Sequence, residues 1–340
     1  MTTGAPPSDG AAGLAASVAV ALAVLRFNFA SPGGDPRRQG ALLSAALELA
    51  QWGDAHGVAA VSVDEHHVTG HGWSCNPIMV AGMFLARTAT MFASVDCALG
   101  PLWNPVRLAE DIAMVDAMSK GRLHTTVGLG YREVEYRALG VDFGRRGELM
   151  DQALAAMIEA WSGESGVLSG TRTKPHPPLY VGGGVRATAR RAVRFRLPLS
   201  LPDHRPDLAE YYTDLCLAAD LQPFVLMPPA VNRGMIYLHE DPERGWAELG
   251  EYILWEAVTY GRWSDDPSRS SMHLPGVQTL EQVRESGRYR FLTPDELVDE
   301  VRGCPDYGPI VLHPLVGGLP VEEAWKSVRL LTDAVLPALG

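Results

Sequence analysis

The chain has 340 residues, of which 46% are hydrophobic and 20% are charged, a balance typical of folded globular proteins. Its formal net charge of −11 argues against a protein that binds nucleic acid or anionic membranes, because both need clustered Lys and Arg. Its four cysteines are widely separated and form no CxxC pair, so they indicate the reduced thiols of a cytoplasmic protein rather than a zinc site or a disulfide framework.

The start of the chain predicts a tail followed by a buried strand. The apolar stretch 11–25 has no Lys or Arg before it and no convincing cleavage site after it, so we do not interpret it as a signal peptide. No apolar run reaches the roughly 18 residues of a membrane-spanning helix. We expect residues 1–16 to be a disordered tail and residues 17–340 to form a single domain.

Short apolar runs alternate with longer amphipathic stretches through the rest of the chain. The predicted strands are 18–27, 58–63, 92–100, 122–130, 178–182, 198–201, 234–240 and 309–315. The predicted helices lie near 36–56, 77–88, 105–118, 146–161, 185–195, 206–219, 242–261, 294–302 and 321–337. Short strands buried on both faces that alternate with helices indicate a parallel sheet. Eight such units favour an α/β fold closed as a (β/α)8 TIM barrel.

Two details of this pattern are more specific. Asn104 and Thr293 each precede a proline and are predicted to cap the helices that follow. The segment 262–292 is rich in Pro, Ser and charge, and it interrupts the alternation of strands and helices. We interpret it as an insertion that covers the barrel mouth.

The stretch "VSVDEHHVTGHGWSCNP", 61–77, places a carboxylate and two imidazoles directly after the second predicted strand. In a barrel, residues at the carboxyl ends of strands face the active-site mouth, which makes Glu65, His66 and His67 candidate functional residues. Three interpretations remain open from composition: a metal site, a proton-transfer site beside a cofactor, and a hydrogen-bonded polar loop. The metal site is disfavoured because adjacent histidines direct their rings differently.

The stretch "PLYVGGGVRATARRA", 178–192, leads from a strand through three glycines into a helix. Glycines allow a ligand to approach the backbone closely, and the start of a helix favours an anion, so this turn predicts a phosphate site. The pattern also fits a dinucleotide fingerprint, with Asp203 about 20 residues further on. A tight turn without a ligand is the third possibility. Nearby, Arg132, Arg145 and Arg146 are either anion ligands or surface charges.

Taken together and in order, "DEHH…NP", "NPVRLAEDIAMVDAMSKGRL", "GLGYREVEYRALG" and "LYVGGGVRAT" resemble the luciferase-like monooxygenase family over nearly the whole chain. The resemblance implies a (β/α)8 TIM barrel of the bacterial luciferase type that binds FMN and is often a homodimer. It also implies that the flavin ring lies at the barrel mouth and that its phosphate lies at the glycine turn.

The resemblance further assigns roles to individual residues. It implies that His66 assists proton transfer beside the flavin and that Glu65 and His67 orient or support it. It also implies a set of cofactor-binding positions, with a non-prolyl cis peptide between the first two of them under the flavin ring. These positions are Asp96, Cys97, Leu129, Gly130, Arg132, Gly183, Gly184, Val185 and Thr188.

The sequence also departs from the family pattern. The family's phosphate-contacting arginines are absent, since their positions hold Leu129 and Gly147, and Val185 replaces a hydroxyl residue. FMN binding is therefore expected to be weak, as suits a protein that receives reduced FMN from a separate reductase, or else the cofactor is F420. Arg132, Arg145 and Arg146 are possible substitutes for the absent arginines.

The leading hypothesis is a flavin-dependent monooxygenase that uses reduced FMN and O2 to oxygenate a small organic substrate through a flavin C4a-hydroperoxide, without a metal. The alternatives are F420-dependent hydride transfer on the same fold, a non-catalytic flavin-binding paralogue and, at the margin, a metallohydrolase. The sequence leaves the substrate open.

Overall fold

The computed structural model of the protein describes residues 22–231, 233–266 and 270–340. The predicted tail, 1–16, and residues 18–21 of the predicted first strand lie outside the described residues. The strands are β1 (Ala23–Phe27), β2 (Ala60–Val63), β3 (Phe92–Leu99), β4 (Leu123–Gly128), β5 (Leu179–Gly182), β6 (Leu199–Ser200), β7 (Val225–Leu226), β8 (Met235–Leu238), β9 (Tyr289–Leu292) and β10 (Ile310–Leu312).

Helices follow most of the strands. A π-helical turn at Leu331–Val335 joins the last two helices. The helices are α1 (Pro36–Ala55), α2 (Pro77–Arg87), α3 (Pro105–Ser119), α4 (Glu133–Ala138), α5 (Arg146–Ser162), α6 (Arg186–Arg194), α7 (Pro206–Ala218), α8 (Pro242–Gly261), α9 (Leu280–Glu285), α10 (Pro294–Arg302), α11 (Val321–Leu330) and α12 (Leu336–Leu339).

All ten strands belong to one sheet in the order β7-β6-β5-β4-β3-β2-β1-β10-β8-β9, and every pairing is parallel. This arrangement confirms the predicted α/β class. Among the described residues the edge strands β7 and β9 do not pair, so the strand ladder does not close on itself. The chain before α9 bridges the gap instead: the Ser271 N–H donates to the Pro202 carbonyl at 3.0 Å, and the Arg288 guanidinium donates to the Ser271 carbonyl at 2.5 Å.

The eight predicted strands are all present, but β7, β9, α4 and α9 were not predicted. Strand β7 has only two residues, too few for a recognisable apolar run. Helix α9 and strand β9 both lie within 262–292, so the later half of the expected insertion consists of regular structure. Strand β9 pairs with β8, and burial of the side chains of Tyr289, Phe291 and Leu292 stabilises it in the sheet.

Capping explains where several helices begin. The Asn104 side chain accepts a hydrogen bond from the Arg107 N–H at 3.1 Å, and Thr293 forms a capping box with Glu296, which confirms both predicted helix starts. Asn76 caps α2 in the same way, through the Met79 N–H at 3.0 Å. No helix among the described residues is long and apolar enough to cross a membrane.

Candidate active site

The candidate site lies where the carboxyl ends of β1 to β4 meet, because parallel strands all present that end at the same edge of the sheet. Glu65, His66 and His67 follow β2 directly. Glu65 and His66 are buried, at 2% and 8% exposure, and the ring of His67 is also largely covered. These three residues are therefore part of the interior of the mouth rather than a solvated loop.

The ring of His66 lies against a carboxylate that comes from α4. Its Nδ1 atom is 3.1 Å from Oε1 of Glu135, and the same oxygen accepts hydrogen bonds from the His67 N–H at 3.0 Å and from the Arg132 guanidinium at 2.7 Å. Burial raises the pKa of Glu135, but the hydrogen bonds from His66 and His67 and the charge of Arg132 outweigh it and hold the pKa below its usual value. Glu135 is therefore ionised at neutral pH.

The neighbouring ring, that of His67, contacts a different carboxylate. Its Nε2 lies 2.7 Å from Oε1 of Glu65. The other donors to Glu65 are the Leu99 N–H at 2.7 Å and the Trp103 indole at 3.0 Å. The hydrogen bond to Glu65 raises the pKa of His67, so this imidazole gains a proton more readily than an ordinary histidine.

Aromatic rings enclose the other side of His66. The Trp263 ring is nearest, with its centroid 4.5 Å from that of His66. The Arg132 guanidinium lies 4.1 Å from the centroid of Trp263, close enough for a cation–π contact. Three further rings stand edge-on to His66 at 5.5 to 6.1 Å, and they belong to Trp73, Tyr131 and Tyr260.

Below these rings lies a group of buried charges. Arg26 pairs with Asp64 at 2.5 Å, and the Trp73 indole donates to the same carboxylate at 2.9 Å. Glu256 accepts a hydrogen bond from the Gly317 N–H at 2.8 Å and lies 3.5 Å from Nε2 of His313.

Burial shifts two of these groups toward their neutral forms. It raises the pKa of Glu256 to about 7. It also lowers the pKa of His313 to about 3, with a further contribution from the charge of Arg26.

The peptide bond between Asp96 and Cys97 is cis, as predicted. Asp96 is exposed and accepts a hydrogen bond from the Ser94 hydroxyl at 2.9 Å. Burial raises the pKa of Cys97 to about 12, so its thiol stays protonated at neutral pH. A Cβ atom on Gly128 would lie 2.5 Å from the sulfur of Cys97, so a larger residue there would displace the Cys97 side chain.

The chain after β4 places two more of the predicted cofactor-binding residues. The Leu129 carbonyl accepts a hydrogen bond from the hydroxyl of Tyr136, and Gly130 has a φ of +68°, in the left-handed region. Both residues lie between β4 and α4, beside the segment that supplies Glu135.

The glycine turn between β5 and α6 is tightly packed. Gly183 has a φ of +146°, and a Cβ there would lie 2.7 Å from the hydroxyl oxygen of Thr188. Thr188 is buried, and its hydroxyl makes no hydrogen bond to any residue that the structure describes. Val185 is exposed at the start of α6, where no side chain caps the helix. The turn thus exposes backbone at a helix start, next to a hydroxyl without a partner.

The structure distinguishes the three candidate arginines. Arg132 is neither a surface charge nor placed at the glycine turn, because its guanidinium is held by Glu135 and by the carbonyl of His67 at 2.8 Å. Arg145 is exposed and pairs with Glu148, while Arg146 lies over the ring of Phe143 at 4.0 Å.

Two arginines that the sequence did not single out lie near the turn. Arg191 donates to the Gly147 carbonyl at 3.1 Å and pairs with Asp151 at 2.5 Å. Arg205 donates to the Gly184 carbonyl at 3.3 Å.

Sequence reasoning also missed Glu135, Arg26 and Trp263 as parts of the site. Glu135 is within the quoted motif "GLGYREVEYRALG", yet only the fold brings it to His66, 69 residues earlier in the chain. Within the described ranges, no group of three or more His, Cys, Asp or Glu side chains could hold a metal ion. His66 and His67 instead each contact a different carboxylate, that of Glu135 and that of Glu65.

The luciferase-like monooxygenase family profile matches residues 24–290. The oxygenase component of the flavin-dependent trigonelline monooxygenase of Acinetobacter baylyi is 27% identical over 132 residues, which are 38% of this chain and 37% of that protein. The alkanal monooxygenase alpha chain of the Kryptophanaron alfredi symbiont is 28% identical over 168 residues, 46% of this chain and 47% of that one. The chain thus matches less than half the length of these relatives.

Solved structures share the fold. The monooxygenase RslO1 from Streptomyces bottropensis superimposes with a TM-score of 0.73 at 22% identity, over 94% of this chain and 100% of that one. The oxygenating constituent of 3,6-diketocamphane monooxygenase from Pseudomonas putida, solved with FMN, gives a TM-score of 0.65 at 16% identity, over 94% and 98% of the two chains. These relatives are monooxygenases, hence oxidoreductases. Because the matched profile covers more than half of the sequence, the chain belongs to the luciferase-like monooxygenase family.

Proposed function

We propose that the protein is the oxygenase component of a flavin-dependent monooxygenase, which uses reduced FMN and O2 to oxygenate a small organic substrate. The observation that carries this proposal is His66, buried at the strand ends of a luciferase-like fold with a carboxylate on one side and aromatic rings on the other. That arrangement suits proton transfer in a site from which water is excluded.

The residues at the glycine turn fit a flavin phosphate. The backbone approaches closely at Gly183, the hydroxyl of Thr188 lacks a partner among the described residues, and the start of α6 has no capping side chain. Phosphate oxygens accept hydrogen bonds from such groups. Arg205, which contacts the turn at the Gly184 carbonyl and pairs with Asp207, is our candidate for the missing cation.

When bound, the flavin would supply the electrons that activate O2. The protein's own contribution is positioning and proton transfer. His66 would give or take a proton at its ring, while Trp73, Tyr260 and Trp263 keep bulk water away from it. Glu65 and His67 would hold the chain beside His66 through their mutual hydrogen bond.

We further propose that reduced FMN comes from a separate cytoplasmic reductase, in keeping with the trigonelline relative, whose matched chain is an oxygenase component. We also propose a homodimer. Helices α2 and α3 pack against each other, and together they carry four methionines that are between 40% and 70% exposed. They are Met79, Met83, Met114 and Met118. Exposed apolar side chains grouped on neighbouring helices are typical of a protein–protein interface, and a second copy of the chain is the occupant that we propose.

The test is an anaerobic equilibrium titration of the purified full chain with reduced FMN and, separately, with reduced F420. The proposal predicts saturable binding of reduced FMN that weakens at least tenfold, a loss of about 1.4 kcal/mol, in a Thr188→Val variant. Binding of F420 in preference to FMN would favour hydride transfer instead, which the absent arginines at Leu129 and Gly147 leave open. Binding of neither cofactor would contradict both.

A further inference from the structure

Two carboxylates divide the adjacent histidines into two chemical roles. Glu135 contacts His66 at Nδ1, whereas Glu65 contacts His67 at Nε2. The two ring nitrogens of a histidine are not equivalent, because the one that donates a hydrogen bond leaves the other as the proton acceptor. The choice of contacted nitrogen therefore decides which atom of each ring is available for chemistry.

We propose that Glu135 is a positioning residue that fixes the Nδ1–H tautomer of His66 and thereby makes Nε2 the atom that exchanges protons with the substrate or cofactor. This inference rests on the proposed function only for the claim that Nε2 exchanges a proton with the substrate or cofactor. The tautomer itself follows from contacts within the protein.

The first support is that the Glu135 carboxylate can only accept hydrogen bonds. Three donors converge on its Oε1, from His66, from the His67 N–H and from the Arg132 guanidinium, and together they keep the group ionised. An ionised carboxylate has no proton to give. A neutral His66 must consequently carry its proton on Nδ1, which leaves the lone pair on Nε2.

The second support is the surroundings of the ring. No residue that the structure describes donates to or accepts from Nε2 of His66. The side of the ring away from Glu135 faces an enclosure of Trp73, Tyr131, Tyr260 and Trp263. The proton-accepting atom is therefore on the side of the ring that these aromatic side chains cover.

The third support is the cost of burying Glu135. Its residue exposure is 0%, and its second oxygen, Oε2, has no hydrogen-bond partner among the residues that the structure describes. Burying this carboxylate costs free energy, because Oε2 loses its hydration and makes no hydrogen bond with the described residues in return. Such a cost suggests that the carboxylate has a role at this position. Arg132 offsets part of this cost and at the same time stacks on Trp263, which joins the anchor of His66 to the ring that covers it.

His67 provides the internal comparison. Its hydrogen bond to Glu65 raises its pKa, and the Glu65 carboxylate also holds the Leu99 N–H and the Trp103 indole. This histidine is thus held as part of a structural hydrogen-bond cluster. Environments that differ in this way assign different roles to two like groups in one site.

The experiment is long-range proton–nitrogen correlation NMR on the full chain with isotope-labelled histidine, at a pH where imidazoles are neutral. A His66→Gln spectrum identifies the His66 signals. We expect the Nδ1–H tautomer for His66 in the unaltered protein, although free histidine prefers Nε2–H. Finding Nε2–H for His66 would overturn the proposal, and that result needs no variant of Glu135 and no bound flavin.

The matched variants are Glu135→Gln and Glu65→Gln, each of which removes one buried carboxylate charge. Glu135→Gln is expected to shift His66 toward the Nε2–H tautomer and to lower kcat at least tenfold, with the Kd for reduced FMN changed less than twofold. Glu65→Gln is expected to leave the His66 tautomer unchanged. Equal tautomer shifts in both variants would indicate a general loss of structure and would contradict the assigned role.

If the protein proves to bind no flavin, the proposed function fails while the tautomer measurement still stands. If it binds reduced FMN but His66 carries its proton on Nε2, this inference fails and the proposed function does not. The two claims are thus separable by experiment.

Discussion

The residues of the site include two histidine–carboxylate pairs, His66–Glu135, which we call the upper pair, and Glu256–His313, which we call the lower pair. In the upper pair the carboxylate is held ionised by the donors that converge on it. In the lower pair burial dominates, so that both groups are pushed toward their neutral forms. Only the upper pair is thus suited to stabilise a positive charge on its histidine.

The lower pair makes a prediction about stability and pH. Because the pKa of Glu256 in the folded protein is raised to about 7, the folded state retains a proton that the unfolded chain has already released at mildly acidic pH. Stability from this group is therefore full at low pH and is lost as the pH rises through about 7. Its neighbours Arg26 and His313 change little in charge over that interval, since Arg26 stays protonated and His313 titrates far lower.

We expect Glu256→Gln, which keeps an acceptor for the Gly317 N–H, to gain stability relative to the unaltered protein on going from about pH 5 to about pH 8. The expected relative gain is on the order of 2–3 kcal/mol, read from urea unfolding of both proteins at both pH values. A stability difference that is the same at the two pH values would show that Glu256 does not titrate in this range.

Among the elements, the turn between β5 and α6 has a backbone that favours glycine at one position. A side chain at Gly183 would meet both an unfavourable φ of +146° and the hydroxyl of Thr188 at 2.7 Å. The adjacent Gly184 has an ordinary φ, and a Cβ there would lie 3.4 Å from Pro202, which is a normal contact.

We therefore expect Gly183→Ala to weaken reduced-FMN binding at least tenfold and to lower stability by about 1–3 kcal/mol, since it displaces Thr188 and strains the turn. Gly184→Ala is the matched control. Its effects on reduced-FMN binding and on stability should each be less than about a third of those of Gly183→Ala. Fluorescence titration and thermal unfolding measure the two effects. Similar losses in the two variants would mean that this turn is not the phosphate site.

The elements also show what sequence patterns can and cannot provide. The strand ends that carry Glu65 and His66 were predictable, because a strand with both faces buried has a continuous apolar run and its polar residues begin where burial ends. Strand β9 was not, since it depends on pairing with β8 across two intervening helices, and its "YRFL" run follows a charged stretch. The helix starts at Asn104 and Thr293 were predictable because caps act locally.

Some residues of the site could not be predicted because they depend on contacts between distant parts of the chain. Glu135 and Trp263 reach His66 only through tertiary packing, and neither position differs in sequence from an ordinary polar or aromatic residue. Arg132 was singled out from the sequence, but it was expected to hold an anion or to be a surface charge. Its position one turn before Glu135 on the same segment, together with Trp263, determines its actual contacts.

For the whole molecule, the exposed methionine face on α2 and α3 bears on assembly. If two copies pack through this face, Met114→Glu together with Met118→Glu places four like charges in one interface and should convert dimer to monomer. Sedimentation or light scattering at micromolar concentration measures the change. Leu217→Glu on α7 introduces a charge at a similarly exposed apolar position elsewhere and should leave the oligomeric state unchanged. A monomer before any substitution would contradict the proposed homodimer.

The central claim is that His66 serves oxygen chemistry on a bound flavin. The most direct measurement is a stopped-flow oxygen pulse on the anaerobic complex of the full chain with reduced FMN, repeated with His66→Gln and with His56→Gln, an exposed histidine at the end of α1. We predict a transient oxygenated-flavin absorbance in the unaltered protein and in His56→Gln, and a transient whose lifetime changes at least tenfold in His66→Gln. Oxidation of the flavin without any transient, or kinetics identical in all three proteins, would contradict the account.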